Sequence, residues 1–246
     1  MKKIIILVSV CFVFLCSCSD GSSSADSAGG TGAGKGGSLA RFAINGNYLY
    51  TVDDRELEVF DISNKAPVRV GQATVGFGIE TIFPKGNVLF LGSETGMYIY
   101  DISNPINPIQ LSSYEHVYAC DPVVADDKYA YVTLRSIANV CGRWRNELLI
   151  VDIQDLTKPY TLKTYNMTSP KGLGIDGTNL FICDNGLKVY DATDVSNLVK
   201  TNTFGIDCHD VIPLNGNLLV IGTNSLYQYQ YKDDQMNLLS QLTVIE

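Results

Sequence analysis

Apolar residues in this chain gather in short runs that end on an acid and then recur. Five runs stand out: Leu57-Glu58-Val59-Phe60-Asp61, Met97-Tyr98-Ile99-Tyr100-Asp101, Leu148-Leu149-Ile150-Val151-Asp152, Leu187-Lys188-Val189-Tyr190-Asp191 and, without the acid, Leu226-Tyr227-Gln228-Tyr229-Gln230. Their last residues are 40, 51, 39 and 39 positions apart. A period near forty, built from strand-length runs with no helical periodicity between them, predicts an all-β repeat array.

Each unit divides into four strand-like runs separated by turn signals. In the first, Arg41–Ile44 leads to the hairpin signal Asn45-Gly46-Asn47, then Tyr48–Val52, the polar turn Asp53-Asp54-Arg55, the motif Leu57–Asp61, and finally Val68–Val75. Lys85-Gly86-Asn87, Asp176-Gly177-Thr178 and Asn215-Gly216-Asn217 mark the same hairpin in the second, fourth and fifth units. In the third, Asp127 stands where glycine would, as a residue that tolerates a left-handed backbone. The motif strands are apolar on both faces, as strands sandwiched between neighbouring sheets are. The expected architecture is a β-propeller of five four-stranded blades.

The motif Leu148-Leu149-Ile150-Val151-Asp152-Ile153 and the turn Asp101-Ile102-Ser103-Asn104-Pro105 resemble the LVIVD-repeat proteins, a β-propeller family common among envelope lipoproteins of Bacteroidota-type bacteria. The resemblance covers roughly Gly37 to Glu246 and implies a fold rather than an activity. The fifth unit departs from it, with Gln230 for the aspartate and Lys232-Asp233-Asp234 for the turn. The recurring Asp61, Asp101, Asp152 and Asp191 are read as caps of the turns that follow them. One acid per unit does not build the six- to eight-oxygen cage of calcium.

The N-terminus sets an address. Met1-Lys2-Lys3 precedes an apolar run, Ile4–Leu15, too short to span a bilayer but suited to a signal peptide. Leu15-Cys16-Ser17-Cys18 resembles the lipobox of bacterial lipoproteins, which implies cleavage before Cys18 and acylation of that residue. Ser19 to Gly37 carries no large apolar side chain and reads as a flexible tether. The expected organisation is a leader over residues 1–17, a lipidated cysteine and tether over 18–37, and a propeller head over 38–246. The resemblance implies a lipid anchor in the cell envelope, at the outer membrane, with the side it faces left open.

Charge narrows the partners. The chain has 18 basic and 26 acidic residues; removing Lys2 and Lys3 with the leader leaves 16 against 26, a net −10. Such a head is repelled by phosphate backbones, which excludes nucleic acid as the expected partner. A protein, peptide or glycan remains. Nothing in the chain calls for a cofactor or a metal, and two histidines are too few ligands for a zinc site.

If the first strand of each blade runs from top to bottom, the links between second and third strands return to the top. The oddities of the chain then converge on that face. The third unit carries about eleven extra residues there, Arg135 to Arg145, including Cys141, Arg143 and Trp144, the single tryptophan. Cys120–Cys141 is the favoured disulfide and Cys183–Cys208 the second, with a buried free thiol as the alternative for Cys183. Counting six residues back from each hairpin gives Ala40, Glu80, Asp121, Lys171 and Asp210 around the channel mouth, beside His209. Glu80, Asp121, Arg143, Trp144, Arg145, Lys171, His209 and Asp210 are therefore the candidate binding face.

Two functions compete. One is a tethered binding module. The other is a glycan-directed hydrolase drawing a carboxylate pair from Glu80, Asp121 and Asp210. Nucleophilic Ser-His chemistry has no Gly-x-Ser-x-Gly elbow to support it.

Overall fold

Strands form where the apolar runs stand and break where the turn residues stand. The computed structural model describes residues 36–115, 122–136, 145–232 and 235–244. Among them every regular element is a strand. The leader, Cys18, Asp121, the pair Cys120 and Cys141, Arg143 and Trp144 all lie outside the described residues.

The first two repeats make one six-stranded antiparallel sheet: β1 (Phe42–Asn45), β2 (Tyr48–Asp61), β3 (Val68–Lys85), β4 (Val88–Ser93), β5 (Gly96–Asp101) and β6 (Ile109–Glu115). The third repeat holds β7 (Val123–Ala125), β8 (Tyr129–Leu134), β9 (Glu147–Asp152) and β10 (Tyr160–Asn166). The fourth holds β11 (Pro170–Asp176), β12 (Asn179–Asp184), β13 (Leu187–Asp191) and β14 (Val199–Phe204). The fifth holds β15 (Asp210–Leu214), β16 (Asn217–Ile221), β17 (Ser225–Lys232) and β18 (Gln235–Thr243). In all three of these sheets neighbouring strands are antiparallel and consecutive in the chain.

The structure therefore has four open sheets where five separate blades were expected. The cause is local. Asp53-Asp54-Arg55 was expected to break a strand, yet Asp54 pairs with Ile79 and its Oδ1 accepts the Gly78 amide at 3.2 Å. The link between the first two units is thereby held against the turn, and the backbone ladder runs through both. Asp127 is a second correction. It does not adopt a left-handed backbone; the hairpin is turned by Asp126, whose Oδ1 accepts the Lys128 and Tyr129 amides at 2.7 and 2.8 Å.

The core lies between successive units. Tyr50 and Leu57 of the first meet Leu89 and Tyr100 of the second. Phe90 and Ile99 meet Val132 and Leu149 of the third. Tyr131 and Ile150 meet Leu180 and Ile182 of the fourth. Phe181 and Val189 meet Leu218 and Tyr229 of the fifth. In the second, third and fourth units both faces of the motif strand meet a neighbouring unit, which is why those strands read as continuous apolar runs. The outer strands β6, β10, β14 and β18 are mostly exposed.

The motif aspartates do cap their turns. Asp61, Asp101, Asp152 and Asp191 accept the amides of Ser63, Ser103, Gln154 and Thr193 at 2.8, 2.7, 3.0 and 2.8 Å. A hydrogen bond from Ser63 holds the Asp61 carboxyl below its ordinary pKa, and Ser103 and Thr193 do the same for Asp101 and Asp191. Cys183 and Cys208 are joined by a disulfide inside the fourth interface, with 5.2 Å between their Cα atoms.

Candidate functional site

The inner strands β3, β7, β11 and β15 stand side by side around an axis. The chain reaches that axis before its first strand begins, as a short strap from Gly36 to Ala40. The Ser38 hydroxyl donates to Asp210 Oδ1 at 2.8 Å and accepts the Leu173 amide at 2.8 Å. The Ser38 and Leu39 amides reach the same carboxylate at 3.2 and 3.1 Å, and the Val211 amide reaches it at 2.9 Å. Ala40 accepts the Ile82 amide at 2.9 Å. The strap thus ties the second, fourth and fifth units at the end where their inner strands start.

Close approach sets the residue types. A side chain at Gly37 or Gly172 would strike the Asp210 carboxylate. Asp210 is 7% exposed and Ser38 1%. Burial raises the Asp210 pKa, and the bonds from Ser38, Leu39 and Val211 oppose that rise.

Below the strap is a cavity of about 650 Å³. Gly36 and Ser38 line it, Phe83, Val124, Tyr131, Leu173 and Val211 supply apolar walls, and the hairpins after β3, β7 and β11 form its rim. Lys85 and Asp127 pair across that rim at 2.8 Å. The Tyr131 hydroxyl donates to Asp126 Oδ2 at 2.8 Å, and Tyr231 donates to Asp176. Burial first, and then Asp126, push the Tyr131 phenol far above its ordinary range. The size suits a small ligand or a side group of a larger one.

The sequence placed the candidate face at the opposite end of the axis. Of its described residues, Lys171 and His209 meet there, while Glu80 and Arg145 contact other side chains. Glu80 sits at a bulge in β3 with Glu94, Arg41 and Arg135 around it; burial and Glu94 raise its pKa, against the two arginines. Lys171 Nζ lies 3.1 Å from His209 Nε2, which also contacts Thr223 Oγ1 at 2.9 Å and lies 3.6 Å from Asp207. Arg145 closes the base of the long loop: its amide donates to Ser136 Oγ at 2.7 Å, and its guanidinium reaches Glu147 at 3.5 Å. Asp210 lies under the strap rather than on an open mouth.

Sequence reasoning missed Asp184. It is 1% exposed and accepts the Thr168 and Ser169 amides at 2.9 and 2.5 Å and the Lys188 ammonium at 2.5 Å. Burial works against its charge, but Lys188 and the two amides outweigh it and hold the carboxyl below its ordinary pKa. An acid four residues before Lys188 at a strand-end turn was the available signal. The cavity had none, because its walls come from four units.

Repeated four-stranded antiparallel units that stack their faces around an axis define a β-propeller-like repeat protein. The chain belongs to the LVIVD-repeat proteins, the repeat matching residues 36–71, 82–116 and 118–167. Among solved structures it is similar to a functionally unknown protein from Desulfotomaculum acetoxidans, at 12% identity and a TM-score of 0.65, over 84% of this chain and 71% of that one. A protein from Lactobacillus plantarum is similar at 15% identity and a TM-score of 0.63, over 80% and 69%. AztD from Citrobacter koseri follows at 13% and 0.57, over 81% and 63%. At these identities the likeness concerns fold alone. A search of curated proteins finds no match.

Proposed function

We propose that this chain is a binding module of the cell envelope, tethered to a membrane through lipid on Cys18. Its five units act as the five blades of one propeller-like array, the first two joined by a shared ladder. The ligand enters the cavity at the hairpin end. The observation that carries this reading is the cavity itself: about 650 Å³ with apolar walls, stoppered at the other end by Ser38 on Asp210. A stoppered channel suits capture of a peptide or glycan side group better than passage of substrate and water.

The hydrolase reading needs free carboxylates. Asp210 already accepts four hydrogen bonds, from Ser38 (two), Leu39 and Val211. That leaves it poorly placed as an acid or base.

Screening the full chain on glycan and peptide arrays tests the proposal. Thr178→Trp, an exposed change on the cavity rim, is expected to abolish whatever signal the wild type gives. Retained binding in that variant would move the site elsewhere. Glycan turnover abolished by Asp121→Asn, with no captured ligand, would replace the binding module by the hydrolase. Incorporation of labelled palmitate that Cys18→Ala abolishes is expected for the anchor.

A further inference from the structure

The four interfaces between successive units are built alike. In each, the first residue of the repeated motif points forward into the next unit, and Leu57, Met97, Leu148 and Leu187 are at most 1% exposed. Leu226 holds that place in the fifth unit and is 36% exposed. The backward side shows the same break. Ile82, Val123, Leu173 and Val211 are inner-strand residues that receive the preceding unit, each at most 1% exposed. Phe42 occupies this position in the first unit, facing Thr51 as Ile82 faces Leu91 and Leu173 faces Ile182, and it is 55% exposed.

Register shows how far the open face extends. Asp210, Ile221, Leu226 and Leu242 pair in one row running outward from the axis, and directly paired residues share a sheet face. The strap covers Asp210. Beyond it Ile221 is 36% exposed, and Leu242 at the periphery is 65% exposed.

Each end is therefore half of an interface that this chain makes four times. Among the described residues, the forward face of the fifth unit stays open at Leu226 and the backward face of the first stays open at Phe42. We propose that these two faces pair between copies: the fifth-unit face of one chain, centred on Leu226, packs on the first-unit face of a second, centred on Phe42. A second copy is the partner because its first unit carries the matching half, at the repeat positions the four interfaces within the chain already use. The same contact made in both directions closes a two-fold pair. Closure removes from water the apolar surface that terminal units of a repeat array otherwise expose.

Sedimentation of the full chain in detergent solution tests the proposal. The wild type is expected at double the chain mass, and Leu226→Asp and Phe42→Asp each at the single-chain mass with an unchanged circular dichroism spectrum. A wild type at single-chain mass overturns it. So does a double mass that survives both substitutions, since the contact then lies elsewhere. Copies carrying both Phe42→Cys and Leu226→Cys, tagged in two ways and expressed together, separate pairing between chains from closure within one. Oxidation is expected to join the two tags beyond the wild-type level. A bond confined to single chains overturns the proposal.

Discussion

The Ser38 hydroxyl donates to Asp210 Oδ1 at 2.8 Å, joining residues 172 positions apart. This bond brings the segment before the first strand onto the inner strand of the last unit. It sets the strap at one end of the cavity, with the hairpins after β3, β7 and β11 at the other. Ser38→Ala strands both the Leu173 amide and one acceptor position of a buried carboxylate. A loss of about 1–3 kcal/mol follows from an unsatisfied buried polar group. Urea unfolding of the two proteins measures it, and an unchanged midpoint would mean that the strap contributes nothing to stability.

Asp210 also sets a pH dependence. Its pKa is raised in the folded state, so the fold binds this proton more tightly than the unfolded chain does. Its contribution to stability is then largest below the unfolded value and declines as pH rises through the folded one. Asp210→Asn is expected to flatten that decline above about pH 4, near the ordinary carboxyl pKa. Urea midpoints of both proteins across pH test the sign; a wild type that gains on the variant as pH rises through this window contradicts it.

Asp184 has the opposite sign. Its pKa is lowered, so its contribution is present above the unfolded value and lost as pH falls through the folded one. Asp184→Asn weakens the acceptor for two amides and Lys188, costing about 1–3 kcal/mol at neutral pH. The gap between wild type and variant is expected to close on acidification. A gap that persists in strong acid would assign the loss to packing rather than charge.

The Cys183–Cys208 bond closes a loop with a sequence separation of 25. The chain-entropy account gives about 3–4 kcal/mol for a loop of that size. Cys208→Ala is expected to lower the melting temperature and leave Cys183 buried as a thiol. Melting of the oxidised wild type, with and without reductant, provides the comparison. No shift in either would remove the bond from the stability of the fourth interface.

Gly172 meets Asp210 with no room for a side chain. Gly172→Val is expected to displace the strap and raise the protease sensitivity of the chain around Ser38, while the unit cores stay intact. Limited proteolysis with mass spectrometry of the fragments checks this. An unchanged cleavage pattern would show that the strap accommodates the added methyls.

Some of this architecture was legible in particular residues. The motif from Leu148 to Asp152 announces a strand buried on both faces and its cap, because Asp152 needs only the amide two residues on. Asn215-Gly216 announces a hairpin, and both residues take left-handed backbones, with φ of 50° and 76°. Asp54 was legible as a turn residue but not as a partner of Gly78, which is 24 positions away. Asp210 was legible as an acid near the axis. That it lies beneath Ser38 was not, since nothing around Ser38 marks it as a donor to a distant carboxylate.

By itself the sequence determined the period, the strands and the turn caps of this LVIVD-repeat protein. Those features rest on interactions within a few residues, repeated with the same chemistry in each unit. Only the tertiary structure decided that the first two units share a ladder, that a cavity forms between the strap and the hairpins, and that Leu226 is exposed where Leu57, Met97, Leu148 and Leu187 are buried. The motif specifies that a side chain is apolar. Whether water reaches it depends on the next unit in space, which no local pattern encodes.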